Sequence, residues 1–229
     1  MSLLSLHAIT ASYGATQALF GIDLTLAEGE VCALMGRNGM GKSSTIKVIC
    51  RMLKHSGGTV HFDGQDMANL PSHKAARAGL GLVPEGRRCF GPLTVFENLT
   101  AAARAGAWNY ARVVDLFPRL GERRDQIASS LSGGEQQMLA IGRALMTNPT
   151  LLMLDEATEG LAPVVRQEIW TALAKLKAET GMALLVVDKS LRELRGVADS
   201  AVIIERGTTV WSGAMDDVTA DIADKYLGV

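Results

Sequence analysis

Residues 31–44 read VCALMGRNGMGKSS, and no other stretch narrows the fold as much. Val31 to Met35 is an unbroken apolar run. A strand with one wet face would alternate, so this one is covered on both faces. It enters a loop that satisfies G-x-x-x-x-G-K-[ST], and Thr45 to Ile49 continues as a helix. Gly36, Gly39 and Gly41 let the backbone curl. The residues of the loop and first helical turn (Gly36, Arg37, Asn38, Gly39, Met40, Gly41, Lys42, Ser43 and Ser44) then present successive N–H groups to a phosphate chain. Lys42 can set a positive charge on β- and γ-phosphates, and the Ser43 hydroxyl can ligate Mg²⁺. A merely flexible Gly-rich turn would need neither the buried strand before it nor the helix after it.

A second apolar run, Leu151 to Leu154, ends in Asp155-Glu156, and a third spans Ala183 to Val187. An amphipathic helix, Val165 to Lys177, lies between them, and strand–helix–strand at this spacing predicts a parallel sheet. Ligands of open parallel sheets bind beyond the carboxyl ends of the strands. The acidic pair and the phosphate loop are therefore expected to share one site. Asp155 would hold Mg²⁺ near Ser43 through water, because Mg²⁺ dehydrates reluctantly. Glu156, one residue on and aimed differently, would polarise a water attacking the γ-phosphate.

The N-terminal part reads as β structure of another kind. Leu3 to Ser12 is a strand ending at Tyr13-Gly14. Ile22 to Leu26 alternates, as a half-exposed antiparallel strand does. A break is expected at Gly57-Gly58, then a strand Thr59 to Phe62 and a turn at Asp63-Gly64. Leu80 to Val83 is a strand stopped by Pro84. From about Thr94 to Met146 the pattern is helical, with capping boxes at Thr94-x-x-Glu97 and Ser132-x-x-Glu135, and Pro149 closes it. A last hairpin, Ala201 to Trp211, turns at Arg206-Gly207. The reading is an α/β fold, a P-loop NTPase core of mostly parallel sheet with an N-terminal antiparallel β part. Residues 1–85 and 150–229 form the nucleotide-binding core of one domain, and about 86–149 an inserted helical lobe.

Composition removes other classes. The formal net charge of −1 supplies no field to recruit nucleic acid or an acidic membrane. Arg87-Arg88 and Arg123-Arg124 are short and read as solvated faces. Cys32, Cys50 and Cys89 lie far apart, an odd count that fits a reducing cytosol. The four histidines lack metal-ligand spacing. The N-terminus does not read as a secretory signal. No run approaches the roughly 18 apolar residues that cross a bilayer, so any membrane crossing falls to another chain.

Residues 131–137, LSGGEQQ, open an amphipathic helix with Met138, Ile141, Gly142 and Leu145 on one face. Its N-terminus suits a second phosphate. One triphosphate does not readily fill two separate helix starts, which points to a γ-phosphate from another copy. GRNGMGKSS, LSGGEQQ and LLMLDE, in that order, resemble the ATP-binding subunits of ABC transporters, and the likeness covers nearly the whole chain. It implies ATP and Mg²⁺, head-to-tail pairing of two such subunits, and integral membrane permease subunits as partners. By position, Ser132, Gly133 and Gly134, with Glu135 beside them, would meet the partner's γ-phosphate. Tyr13 matches the aromatic residue that stacks on adenine.

VPEGRR at 83–88, LFPRLGERR at 116–124, GGEQQMLAIGRALMTNP at 133–149 and GLAP at 160–163 resemble the ATPases of branched-chain amino acid importers. Those importers use two different ATPase subunits, two membrane subunits and an external solute-binding protein, and this chain is similar to the shorter ATPase. Glu85 stands where most ABC ATPases have Gln; it can ligate and sense Mg²⁺. Lys189 stands where most have a His against the γ-phosphate. Ala157 replaces the usual Pro. The likeness implies a peripheral ATPase at the cytoplasmic face of the inner membrane, powering import of small polar solutes, with Glu85 to Asn98 facing the membrane subunits. A soluble ABC ATPase acting on nucleic acid is disfavoured by the near-neutral charge and by a single nucleotide module. A low-turnover regulatory ATP binder is the reading that Lys189 motivates.

Overall fold

The computed structural model describes residues 2–228. Its sheet has ten strands in the order β5-β4-β1-β2-β10-β9-β3-β8-β7-β6. Five of them, β6 (Leu80–Val83), β7 (Leu151–Asp155), β8 (Ala183–Val187), β3 (Val31–Met35) and β9 (Ser200–Glu205), run parallel. The others are antiparallel to their main partners: β1 (Ser2–Tyr13), β2 (Thr16–Ala27), β4 (His55–Phe62), β5 (Gln65–Asp66) and β10 (Thr208–Ala214). One parallel pairing, Thr208 with Gly21, joins the two kinds of sheet.

All five residues of β3, β7 and β8 are buried. Their alternate side chains serve two apolar layers. Ala33, Leu152, Leu154, Leu184 and Val186 face α6 (Gly133–Leu145) and α7 (Pro163–Thr180). Cys32, Leu34, Met153, Leu185 and Val187 face α1 (Lys42–Ile49) and the antiparallel strands. A large-to-small change at such a position costs about 2–5 kcal/mol, so the strand ends that carry the polar residues are fixed from both sides.

The helical stretch divides into α3 (Val95–Thr100), α4 (Tyr110–Leu116), α5 (Pro118–Glu122) and α6, all between the adjacent strands β6 and β7. Both expected capping boxes are formed, at Thr94 and at Ser132. The turn at Asp63-Gly64 and the last hairpin also form where expected, with Asp63 and Gly64 both at positive φ.

Two expectations need correction, and three helices were not expected at all. The break at Gly57-Gly58 does not occur: β4 runs through it as a bulge against β1, with the register shifting between His7 and Thr10. Gly58 has φ 82°, and a Cβ there would stand 2.3 Å from the His7 carbonyl oxygen, so glycine is needed for the strand to continue. The strand expected over Ile22 to Leu26 begins at Thr16, because its first half pairs with β1 and draws order from that ladder. Three short helices carried too few turns for a period to show: α2 (Ser72–Arg77), α8 (Leu191–Arg195) and α9 (Ala220–Tyr226). Among the described residues, no helix is long and apolar enough to cross a membrane.

Candidate active site

Four parallel strands end on one rim, and the loops that follow them carry the chemistry. After β3, Gly36 adopts φ 140°, and a Cβ on it would lie 2.2 Å from the Ile204 carbonyl oxygen of β9. Only glycine permits that approach. The loop is tied to the β9–β10 turn: Gly207 N–H donates to the Met40 carbonyl at 2.9 Å, and Arg206 N–H reaches the Met40 sulfur at 3.2 Å. Met40 thus fixes the loop's far side. Among the described residues, no side chain caps α1. Its first N–H groups, in Lys42, Ser43 and Ser44, have no intrahelical partner.

Lys42 is 5 % exposed. Its ammonium donates to the carbonyls of Gly36 and Arg37, at 2.8 and 3.0 Å, spanning the mouth of the loop. Burial pushes its pKa below the ordinary lysine value. Ser43 Oγ donates to Asp155 Oδ1 at 3.1 Å, so two residues 112 positions apart meet as the sequence motifs require. Burial raises the Asp155 carboxyl above its usual range, with the Ser43 bond opposing it. A hydroxyl and a carboxylate side by side are hard oxygen donors of the kind Mg²⁺ takes, and the pair fits that ion.

Glu156 turns away from β7 at φ 50°, while its N–H still donates to the Val187 carbonyl at 3.0 Å. Its carboxylate lies 4.0 Å from Lys42 Nζ and 3.9 Å from Lys189 Nζ. Its pKa is pushed up to about 7 by a hydrogen bond shared with the Glu159 carboxyl, by burial and by the Glu159 charge. A carboxyl near neutrality suits general-base work. Glu85, after β6, comes to the same place: carboxylate oxygens of Glu85, Glu156 and Glu159 lie within 4.8 Å of one another. Lys189, after β8, bonds Glu159 Oε1 at 2.6 Å. Glu159 is the residue missed in the sequence. No sequence pattern marked it: it sits three residues beyond Glu156 in a turn closed by Glu159 N–H to the Glu156 carbonyl, at 3.2 Å.

Tyr13 lies 45 % exposed at the end of β1. Its hydroxyl is 3.3 Å from Ser44 Oγ, and Lys47 Nζ lies 5.5 Å from the ring centroid. An open aromatic face therefore stands beside the start of α1. Ser132 caps α6: Glu135 N–H donates to Ser132 Oγ at 3.3 Å, and Ser132 N–H donates to Glu135 Oε2 at 2.9 Å. Arg123 also bonds Glu135. The Glu135 carboxylate is thus spent on the helix start. Gly133 and Gly134 are covered, since added Cβ atoms would meet the Arg87 guanidinium at 2.5 Å and Val165 at 2.4 Å.

Arg87 and Arg123 are half-buried against other groups, which corrects the expectation of solvated faces for these two, while Arg88 and Arg124 are exposed as expected. Arg87 lies on Gly133 and Arg123 on Glu135. The Arg88 carbonyl accepts from Arg143 Nη2 at 2.6 Å, and the Arg124 guanidinium stands 4.5 Å from the Phe96 ring centroid.

The sequence and the fold have counterparts in known proteins. Residues 19–159 match the ABC transporter family. The chain is 39% identical to the high-affinity branched-chain amino acid transport ATP-binding protein BraG of Pseudomonas aeruginosa, over 99% of this chain and all of that protein. It is 30% identical to the lipopolysaccharide export system ATP-binding protein LptB of Haemophilus influenzae, over 100% and 98%. The fold matches the crystal structure of an ATP-binding cassette of an ABC transporter in its ADP conformation, with TM-score 0.85, 26% identity and full coverage of both chains. On this family match and these near-full-length relatives, the chain belongs to the ABC transporter family, as an ATPase coupled to transport.

Proposed function

We propose that the chain hydrolyses ATP to power a membrane importer of small polar solutes, most specifically branched-chain amino acids. The observation that carries the hydrolytic part is the convergence of Lys42, Ser43, Asp155 and Glu156 at the ends of β3 and β7. Uncapped N–H groups of α1 and the Gly36–Gly41 backbone bind the phosphates. Lys42 leaves its two carbonyls for the β- and γ-phosphates. Tyr13 supplies a face for adenine. Glu156 orients the attacking water, and Lys189 stands where it can touch the γ-phosphate as a point charge. Ser43 and Asp155 would hold Mg²⁺, with Glu85 sensing it, and the ion would offset charge on the phosphates.

The start of α6 lies on a different element from α1, and a single nucleotide bound at α1 leaves it free. We assign Ser132, Gly133 and Gly134 to the γ-phosphate of a second ABC ATPase subunit, paired head to tail. Residues 1–85 and 150–229 act as the nucleotide-binding core, and 86–149 as the lobe that meets permease subunits. A groove of about 480 Å³ supports that contact. It is lined by Ser72, His73 and Ala76 of α2, by Phe90 beside the Glu85 loop, and by Arg143 and Ala144 of α6. Phe90 is 50 % exposed at its edge. The chain then works peripherally, at the cytoplasmic face of the inner membrane, and a solute-binding protein outside delivers cargo.

The cargo assignment leans on the likeness to BraG, whereas the likeness to LptB points to export. Uptake of labelled leucine, isoleucine and valine by vesicles carrying the chain with its co-purifying permease separates the two. ATP-driven uptake that stops with Lys42→Ala supports import. Outward movement of lipid, or no amino acid uptake, refutes it.

A further inference from the structure

Glu159 has no part in the phosphate chemistry just described, yet its carboxylate stands inside the site. It accepts from Lys189 Nζ at 2.6 Å, and the same ammonium lies 3.9 Å from Glu156 Oε2. On the other side, Lys42 Nζ lies 4.0 Å from Glu156 Oε1. Glu156 is thus flanked by two ammonium groups, each held more closely by something else. The Gly36 and Arg37 carbonyls hold Lys42, and Glu159 holds Lys189. The turn at Glu156 brings this about, since its φ of 50° and the Glu159 N–H bond to its carbonyl set both carboxylates on one side.

A bound triphosphate draws Lys42 to its own oxygens. Lys189 then becomes the nearest cation to Glu156, and its position decides what Glu156 can do. In direct contact, the ammonium would occupy the oxygen that must accept from water. Released to solvent, it would leave the carboxylates of Glu85, Glu156 and Glu159 to repel one another within 4.8 Å. The observed placement lies between these extremes.

We propose that Glu159 is a positioning residue for ATP hydrolysis, holding the Lys189 ammonium close to Glu156 without letting the two lock together. This rests on Glu156 being the residue that directs water. Because Glu159 belongs to the segment 157–163, the same bond ties the setting of that segment to the base. Glu159 and Lys189 are about half exposed, at 50 % and 46 %, so their pair adds little to folding stability. Its loss is read in turnover.

The test is phosphate release by the chain with its co-purifying partners. Glu159→Gln is expected to lower kcat about tenfold with KM for ATP unchanged. Glu159→Asp, which keeps a carboxylate within reach of a flexible lysine, restores most of it. Added to Lys189→Gln, Glu159→Gln costs clearly less than it does alone, because the route through Lys189 is gone and only the direct bond to Glu156 remains. Unchanged kcat in Glu159→Gln, no rescue by Asp, or the same loss in both backgrounds overturns the proposal. Glu156→Gln is measured beside them. If that variant keeps its turnover, the assignment of the base falls and the positioning role falls with it. If it loses turnover while Glu159→Gln does not, the positioning role alone falls.

Discussion

The starts of α1 and α6 are both rings of N–H groups able to meet a phosphate, and they are built in opposite ways. The start of α1 has no side-chain cap among the described residues, and the polar groups around it come from strands far apart in the sequence. Their ionisation is set against their charges. Burial pushes Lys42 down and Asp155 up, and Glu156 rises to about 7. The start of α6 comes from one contiguous stretch and is capped reciprocally by Ser132 and Glu135. Although burial pushes the Glu135 carboxyl up, bonds from Ser132 and Arg123 hold it below the usual carboxylate range. In the first arrangement burial opposes the charged forms, and the helix N–H groups lack a side-chain partner among the described residues. The second is satisfied in itself and presents a finished surface. We propose that chemistry belongs to the first and recognition to the second.

Substitutions can break that contrast, and the largest effect on ATP binding falls at Lys42. Lys42→Ala is expected to weaken ATP binding about 100-fold, the upper range for losing a charge-assisted bond. Titration with a fluorescent ATP analogue checks it, and near-normal affinity would remove the lysine from the phosphate site. Ser132→Ala should lower turnover about tenfold, as expected for one lost hydrogen bond to phosphate. It should also cost about 1 kcal/mol of stability through the lost cap, while ATP binding by the isolated chain stays intact. A variant that binds ATP poorly would mean that the two ends are not separate in function.

The smallest effect is on stability and sharpens the idea of opposed charge. The Glu156 carboxyl is raised from 4.5 to about 7 in the folded chain. Below about pH 4.5 it is protonated in both folded and unfolded chains, and its substitution changes little. Between there and about 7 the folded chain keeps a proton that the unfolded chain releases, so stability falls as pH rises. Above about 7 a cost remains, offset in part because the same bond holds the Glu159 carboxyl below its usual range. Glu156→Gln should therefore raise the Tm of the nucleotide-free protein at about pH 8 by about 2–4 °C, the shift that about 1 kcal/mol gives at this chain length. At about pH 4 it should leave Tm unchanged. Equal Tm values at both pH values would show that the carboxylate's charge is not opposed.

What was legible in the sequence was local. The apolar runs of β3, β7 and β8, the loop after β3, and the capping boxes at Thr94 and Ser132 each lie within a few residues, so pattern alone exposed them. What was not legible depends on partners in space. The first half of β2 gains its order from β1, and Gly57-Gly58 becomes a bulge only because β1 lies alongside. Arg87 and Arg123 read as solvated charges because the glycine and the carboxylate they cover are distant in sequence or unmarked by any period. Glu159 was hidden for the same reason: a left-handed turn at Glu156, invisible in composition, carries it back to the base. The meeting of Ser43 with Asp155 could be expected from strand topology, while its 3.1 Å contact could only be measured.

We propose that Glu156, the acid following β7, acts on water and not on nucleotide. Bound ATP and released phosphate, counted in the same preparation of Glu156→Gln with its partners, test it most directly. ATP is expected to be retained at wild-type affinity while phosphate release falls by about 10²–10⁴-fold. Undiminished release, or loss of ATP binding together with release, would contradict it.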